Sequence, residues 1–585
     1  DNIPIGQYYA IGIDTRDPYW IYGGTQDNGS WGLPSRTYSQ LGIMNPDVVC
    51  ISYGDGFYSA VDPRDHTVIY NESQSGRFYL IDLTTGEEKG IRPVLEDPEE
   101  KLRWNWSCPI FISPHNPDIV YYGGNKLFKT TDKAHTWVEI SPELTKNQEW
   151  KKLPIMGVER DKNTLSRDDG TSGYGTSTTI VESPVQAGLL YVGTDDGNVQ
   201  MTKDGGQTWE DLTKKFRLPG PRWVTRVLGS HHDAGTGYVS FSGHQDNDFT
   251  PYIFKSTDFG QTWKSIRGDM PDGMVVNALA EHPRNANLLL AGTEFGLFIS
   301  INGGKNWILP SGNLPRVPVD DIIINAREND IILGTHGRSI IILDDIAFLE
   351  KLDHKALDSE VHLFPPRTAT QYYEKRSLPV PGASEFSGPN PGYGALITYY
   401  VKDDPPKEEP AKEEKSEKAE AKKEHKHKPK VKITILDKEG NVVRELKGPD
   451  KKGFNRICWD LRYPLPFESR GEEGWFGPLK GLFVLPGEYT VKMMARGQEL
   501  LQTVEVRVDP QAKTTPDQLK ARFDANLAVS ELQRAFKESQ KAVRDMDKEI
   551  NRIKGVVKEK KDTPEEVNTL IKDFSKKFEE VKKAF

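Results

Sequence analysis

Short runs in which apolar and polar residues alternate, broken at close intervals by Gly, Asp, Asn or Pro, fill the first 350 positions of the chain. The clearest unit reads TSTTIVES, LLYVGT, NVQMTK and TWEDLT, four β-rich runs separated by turn residues. Matching units begin near Tyr8, Phe57, Ile110, Ser177, Thr225, Val276 and Ile322, and the last ends at SIIILDDI. The pattern predicts a mainly β chain whose residues 1–350 form a seven-bladed β-propeller of four-stranded blades.

After Pro365 and Pro366 the pattern changes. A linker is expected over 351–369, then a β-sandwich over 370–512 built from LITYYV, VKITILD, NRICWDL, GEYTVKMMA and LQTVEVRVD. The Lys/Glu-rich tract 402–430 has no apolar periodicity, so it is expected to be a flexible insertion, and the runs flanking it, LITYYV and VKITILD, are expected to share one sheet. From Thr515 the period becomes helical. Leu519, Phe523, Leu527, Phe536, Val543, Met546, Ile550 and Ile553 predict one helix ending at Gly555, and Pro564 starts a second, giving a helical hairpin over 513–585.

Composition narrows the function. The chain has 585 residues, 77 Lys and Arg against 86 Asp and Glu, and a net charge of −9, with no basic face of the kind that binds phosphate backbones, so nucleic acid is not an expected partner. No apolar run is long enough to span a membrane as a helix. Cys50, Cys108 and Cys458 lack CxxC spacing, which indicates neither a disulfide framework nor a zinc site. No phosphate loop, GxSxG elbow or HExxH occurs.

Four segments repeat one signature: TTDKAHTW (130–137), TKDGGQTW (202–209), STDFGQTW (256–263) and SINGGKNW (300–307). Asp or Asn folding onto backbone NH groups, Gly at positive φ and a covering Trp make this a turn. The segments resemble the Asp-box of BNR-repeat propellers. Longer strings, YGGTQDNGSW, GDGFYSAVDP, RWNWSCPIFISPH, VGTDDGNVQMTKDGG, GTEFGLFIS and GTHGRSIIILDD, resemble secreted bacterial proteins with sortilin/Vps10-like repeats, often described as glycosyl-hydrolase-like, and the sandwich looks like the Ig-like modules appended to such proteins. The resemblance implies a secreted or periplasmic location. It also implies an N-terminal propeller or a partner chain beyond this sequence, so that the chain is expected to be part of a longer protein.

Propeller topology sorts the candidate chemistry. The repeated turns fall at one end of the strands, so Asp132, Asp204 and Asp258 are expected to be structural. Turns between the second and third strands, and connections entering each first strand, fall at the other end. Asp55, in GDGF, is the best single acid there, with Asp27 and Glu294 as companions for a paired-carboxylate glycosidase. Tandem xyloglucanase propellers, which the segment distantly resembles, divide their catalytic Asp residues between two propellers. The ligand-binding candidates are Trp104, Trp106, Asp195, Asp196, Trp223, Arg226, His244, Asp246, His336 and Arg338, a mixture suited to sugars or peptides. Arg103, Arg226 and Arg338 would be the cations of a sialidase-like site. His231 and His232 cannot join His244 and Asp246 around a metal, because the strand GYVSFS separates them. No metal site or cofactor is expected, Asp195 with Asp196 being the one weak signal for Ca²⁺. Three functions stay open: a module binding a glycan, peptide or protein, a glycoside hydrolase, and a structural subunit of an extracellular assembly.

Overall fold

The computed structural model describes residues 5–95, 97, 100–154, 158–159, 161–165, 173–375, 382, 385–404, 431–466, 473–474, 477–478, 480–560 and 562–583. Most of the expected insertion, 405–430, lies outside the described residues. The chain divides into two units, one of residues 1–367 with 372–393 and one of residues 368–371 with 394–585.

The first unit is mainly β. Among its described residues, seven antiparallel sheets follow one another, opening with Tyr8–Ile13, Gly56–Asp62, Ile110–Ile112, Ser177–Glu182, Trp223–Gly229, Val276–His282 and Val319–Asn325. Five have four strands. The sixth and seventh have three, and in the sixth a single bridge, Ile299 to Ile308, stands where a fourth strand would pair. Each opening strand neighbours the next, and that of the seventh sheet neighbours that of the first. The ring closes through a bridge from Gln7 to His336, the Ile11 NH donating to Asp321 Oδ2 at 2.9 Å and the Tyr19 hydroxyl donating to Asp330 Oδ2 at 3.0 Å.

The core lies between sheets. Second strands such as Leu190–Thr194, Gly237–Gly243 and Asp330–Thr335 are buried along their whole length. Leu189, Tyr191 and Met201 of the fourth sheet pack against Val224, Val239 and Phe241 of the fifth, and Tyr8 and Ile21 of the first pack against Ile332 of the seventh. Burying each such side chain contributes roughly 1.5–3 kcal/mol. Gly24 sets the approach of the first two sheets, since a Cβ there would fall 1.9 Å from the Gly56 carbonyl carbon.

The four repeated turns are built alike. Asp204 Oδ1 accepts the Thr208 NH at 2.9 Å, its Oδ2 accepts the Thr208 hydroxyl at 2.6 Å, and Thr202 Oγ1 accepts the Gly206 NH at 3.0 Å. Asp132 and Asp258 repeat the arrangement, and Asn302 reproduces its backbone part by accepting the Asn306 NH at 3.0 Å. These bonds hold all three carboxyls below the usual carboxylate range, Asp132 and Asp258 at about 2. Each Trp then takes up the end of the unit. Trp137, Trp209 and Trp307 donate Nε1 to the carbonyls of Ile91, Ile140 and Ile266, each just past the outermost strand of the preceding sheet, whereas Trp263 donates within its own turn to Gly260 and packs on Phe216.

In the second unit, a five-stranded sheet runs in the order Ala369–Gln371, Gln498–Val508, Gly487–Ala495, Val431–Leu436, Val442–Gly448. In a different sheet Ala395–Val401 pairs with Gly453–Trp459, and the Trp459 ring lies 5.2 Å from Tyr489 of the five-stranded sheet. LITYYV and VKITILD therefore belong to different sheets, contrary to expectation. Similar apolar content does not fix pairing: Ala395–Val401 is buried on both faces, whereas Val431–Leu436 buries alternate positions. Residues 372–393, expected in the sandwich, belong to the first unit, where Ser387–Gly388 pairs with Ile43–Met44. Two short helices occur here, α1 (Ala347–Glu350) just before the expected linker and α2 (His354–Asp358) inside it.

Helix α3 (Pro516–Glu559) begins at a capping box in which the Gln518 NH donates to Thr515 Oγ1 and the Thr515 NH to Gln518 Oε1. It runs through Gly555 instead of ending there. A glycine inside a helix costs only about 1 kcal/mol, and Val556 to Glu559 continue the turn. Helix α4 (Glu565–Lys582) returns alongside, with Lys582 Nζ 2.9 Å from Asp547.

Candidate functional site

Antiparallel strands send alternate connections to opposite ends of the ring. The repeated turns lie with the connections that follow each first strand: the Gly205 NH donates to the Gly188 carbonyl and the Gly303 NH to the Asn287 carbonyl. The connections entering each first strand meet the turns between second and third strands at the other end, where the Asp27 NH donates to Asp55 Oδ1 at 2.7 Å and the Asp55 NH to Gln74 Oε1 at 3.0 Å.

That second end carries a convergent polar group between the sixth, seventh and first sheets. Asp320 stands just inside the seventh opening strand, and Glu294 in the turn after Asn285–Thr293. Asn277 Nδ2 donates to both, at 3.2 Å to Asp320 Oδ1 and 3.1 Å to Glu294 Oε1, so these two oxygens are at most about 6 Å apart. His336 Nδ1 lies 3.4 Å from Asp320 Oδ2, with the histidine side chain 50% and the aspartate 20% exposed. Burial, with the Glu294 charge beside it, pushes the Asp320 carboxyl up to about 6 against the counter-pull of His336.

Tyr9 joins this group from the first sheet. Its ring is 4.6 Å from Phe57 and meets His336 edge-on at 6.5 Å, and its hydroxyl donates to Gln26 Oε1 at 2.5 Å. Burial first, then the charges of Asp55, Asp320 and Asp27, pushes Tyr9 up to about 12, so it remains a donor at neutral pH. Acid, amide, imidazole and the half-buried Tyr9 ring thus meet at one end of the ring.

The expected residues divide. Glu294 and His336 belong to this group, and Arg338 is exposed in the same turn as His336. Asp55 is buried beneath it, its Oδ1 holding the Asp27 NH where Asp27 takes a φ of 60°, which gives the best single acid of the sequence reading a turn-forming task. Arg226 is turned into the ring, with Nη2 2.7 Å from Asp321 Oδ1. Asp195 accepts the Gly175 and Thr176 NH groups and the Thr176 hydroxyl, while Asp196 accepts the Lys146 NH, so both tie loops together on separate partners. Burial pushes Asp195 up to about 7. Asp246 pairs with Arg222 at 2.9 Å, His244 Nδ1 lies 2.7 Å from Ser242 Oγ, and Trp223 stands half-buried at the start of its strand. Trp106 is exposed, and Trp104 is half-buried, packed on the core: it stacks on Tyr122 at 5.0 Å, and a Cβ on Gly76 would strike it at 2.6 Å. Arg103 is bound to Glu143 at 2.7 Å, so two of the three arginines of a sialidase-like site are held by separate acids. No group of three His, Cys, Asp or Glu able to hold a metal ion occurs among the described residues. The central roles of Asp320, Asn277 and Tyr9 are not marked by any motif. Asp320 sits in a connection the topology assigns to this end, but only the fold brings Asn277 and Tyr9 to it.

No known family profile matches the chain. Xyloglucanase Xgh74A of Acetivibrio thermocellus is 27% identical over 148 residues, 23% of this chain and 18% of that protein. The oligoxyloglucan-reducing end-specific xyloglucanase of Emericella nidulans is 20% identical over 241 residues, 40% of this chain and 26% of that protein. The chain thus spans about a quarter or less of the length of these curated relatives. Among solved structures, the GH74 enzyme of Niastella koreensis aligns with a TM-score of 0.40 and 16% identity over 58% of this chain and 52% of its own. PorZ, a surface component of the type-IX secretion system of Porphyromonas gingivalis, aligns with a TM-score of 0.41 and 11% identity over 86% and 59%.

Proposed function

We propose that the seven sheets are the blades of an Asp-box β-propeller, that the chain acts outside the cytoplasm, and that the end carrying Asp320 binds a glycan, with xyloglucan-type β-glucans the first candidates. One observation carries the reading: Asp320, Glu294, Asn277 and the exposed His336 converge at one end of the ring beside the half-buried Tyr9 ring. Sugars are recognised by such a combination, carboxyl and amide groups taking paired hydroxyls while an aromatic face covers the ring's CH groups. The partial likeness to two xyloglucanases supports a carbohydrate ligand over a peptide. The Ig-like sandwich and helices would then serve attachment or assembly.

Hydrolysis is the second reading, favoured by the state of Asp320. A carboxyl raised to about 6 still holds protons near neutrality, as the acid that protonates a leaving glycosidic oxygen must. Glu294 is the carboxyl beside it, and the limit of about 6 Å between their bridged oxygens is compatible with the ~5–5.5 Å carboxyl spacing of retaining glycosidases. Screening wild type and Asp320→Asn against plant and bacterial β-glucans tests both readings. Binding without turnover keeps the first and removes the second, and no interaction with any glycan removes both.

A further inference from the structure

Helix α4 carries more apolar surface than α3 covers. On the side where Lys582 reaches Asp547 of α3, Phe578 is buried and Ile571 half-buried. A second row, Val567, Leu570, Phe574 and Val581, remains in water, with Leu570 69% and Phe574 52% exposed. The spacing of three, four and seven is that of a heptad seam, interrupted once at Lys577. Exposed large apolar side chains aligned in this way mark a contact surface.

We propose that this row binds a second copy of the same chain, α4 lying antiparallel to α4 of that copy, with Leu570 against the partner's Phe574 and Phe574 against the partner's Leu570. Charge identifies the occupant and the direction. Glu566 and Lys577 are about three helical turns apart and therefore lie on one line along the same edge of the row. In an antiparallel pair centred between Leu570 and Phe574, Glu566 comes level with the partner's Lys577, and Lys577 with the partner's Glu566. A parallel pair would carry the two charged edges to opposite sides of the seam, leaving Glu566 and Lys577 without this pairing, and would align the two helix dipoles unfavourably. Helices α3 and α4 together carry 14 basic and 13 acidic residues, whereas the whole chain stands at −9, so two copies can meet here without the repulsion of like net charge. The inference is independent of the glycan reading.

Sedimentation of the full chain between about 1 and 100 μM tests it. The expected result is a species of twice 66.0 kDa that Leu570→Glu and the milder Leu570→Gln convert to 66.0 kDa with circular dichroism unchanged, both being substitutions at an exposed position. Glu566→Lys should weaken the dimer at least tenfold, and adding Lys577→Glu should restore it. A single species of 66.0 kDa throughout the range, or a dimer indifferent to both Leu570 substitutions, overturns the proposal. A double charge swap no better than Glu566→Lys alone overturns the antiparallel direction.

Discussion

Asp320 and Glu294 share one amide: Asn277 Nδ2 donates to an oxygen of each, at 3.2 and 3.1 Å, and so binds the seventh sheet to the sixth at the open end of the ring. The acid that results is unusual for an aspartate, and its behaviour with pH gives the first prediction.

Asp320 binds its proton more tightly folded, at about 6, than unfolded, near 3.8. A group raised in this way stabilises the fold fully below about pH 4, and its contribution is lost as pH rises through about 6. Asp320→Asn, neutral throughout, should match wild type near pH 4 and exceed it at pH 8 by on the order of 3 kcal/mol, read as urea midpoints. An equal difference at both pH values would remove the raised acid from the account.

If the chain hydrolyses a glycan with Asp320 as acid, kcat/KM should fall as pH rises above about 6, and Asp320→Asn should lose both the activity and that limb. An activity with the same high-pH limb in the variant would assign the proton to another group.

The tryptophan ties between sheets should show in stability. Trp307 is buried, so Trp307→Ala is expected to cost about 3–5 kcal/mol, and Trp209→Ala, half-exposed but bonded to Ile140, somewhat less. Denaturant titration decides, and a change below about 0.5 kcal/mol at Trp307 would contradict the tie.

The repeated-turn acids should be replaceable by amides but not by apolar residues, because Asn302 already does the backbone part of the work at the fourth turn. Asp204→Asn should keep a thermal midpoint close to wild type, and Asp204→Ala should lower it. Equal losses in both would mean that the charge, and not the acceptor geometry, holds the turn.

Where structure is local, the sequence carried it. Each expected unit start falls within a few residues of an opening strand, because the turn chemistry at Asp132, Asp204, Asp258 and Asn302 is complete within eight residues. What depends on partners far along the chain was not legible. The packing of Trp104 against Gly76 and Tyr122, and the bond from the Asp27 NH to Asp55 Oδ1, join residues far apart in the chain and leave no mark in the local pattern. Asn277, which organises the candidate site, is one of three polar residues in the string VVNALAEH, and becomes informative only when the ring sets Glu294 and Asp320 on either side of it.

The central claim is that the Asp320 end of the ring is a glycan site, and calorimetric titration with xyloglucan oligosaccharides tests it most directly. Saturable binding to wild type, weakened at least tenfold by Tyr9→Ala and by Glu294→Ala and unchanged by Asp204→Asn at the opposite end, is the predicted result. Binding that ignores Tyr9 and Glu294 but is lost with Asp204 would place the site at the wrong end of the ring, and absence of binding across the β-glucan panel would contradict the claim outright.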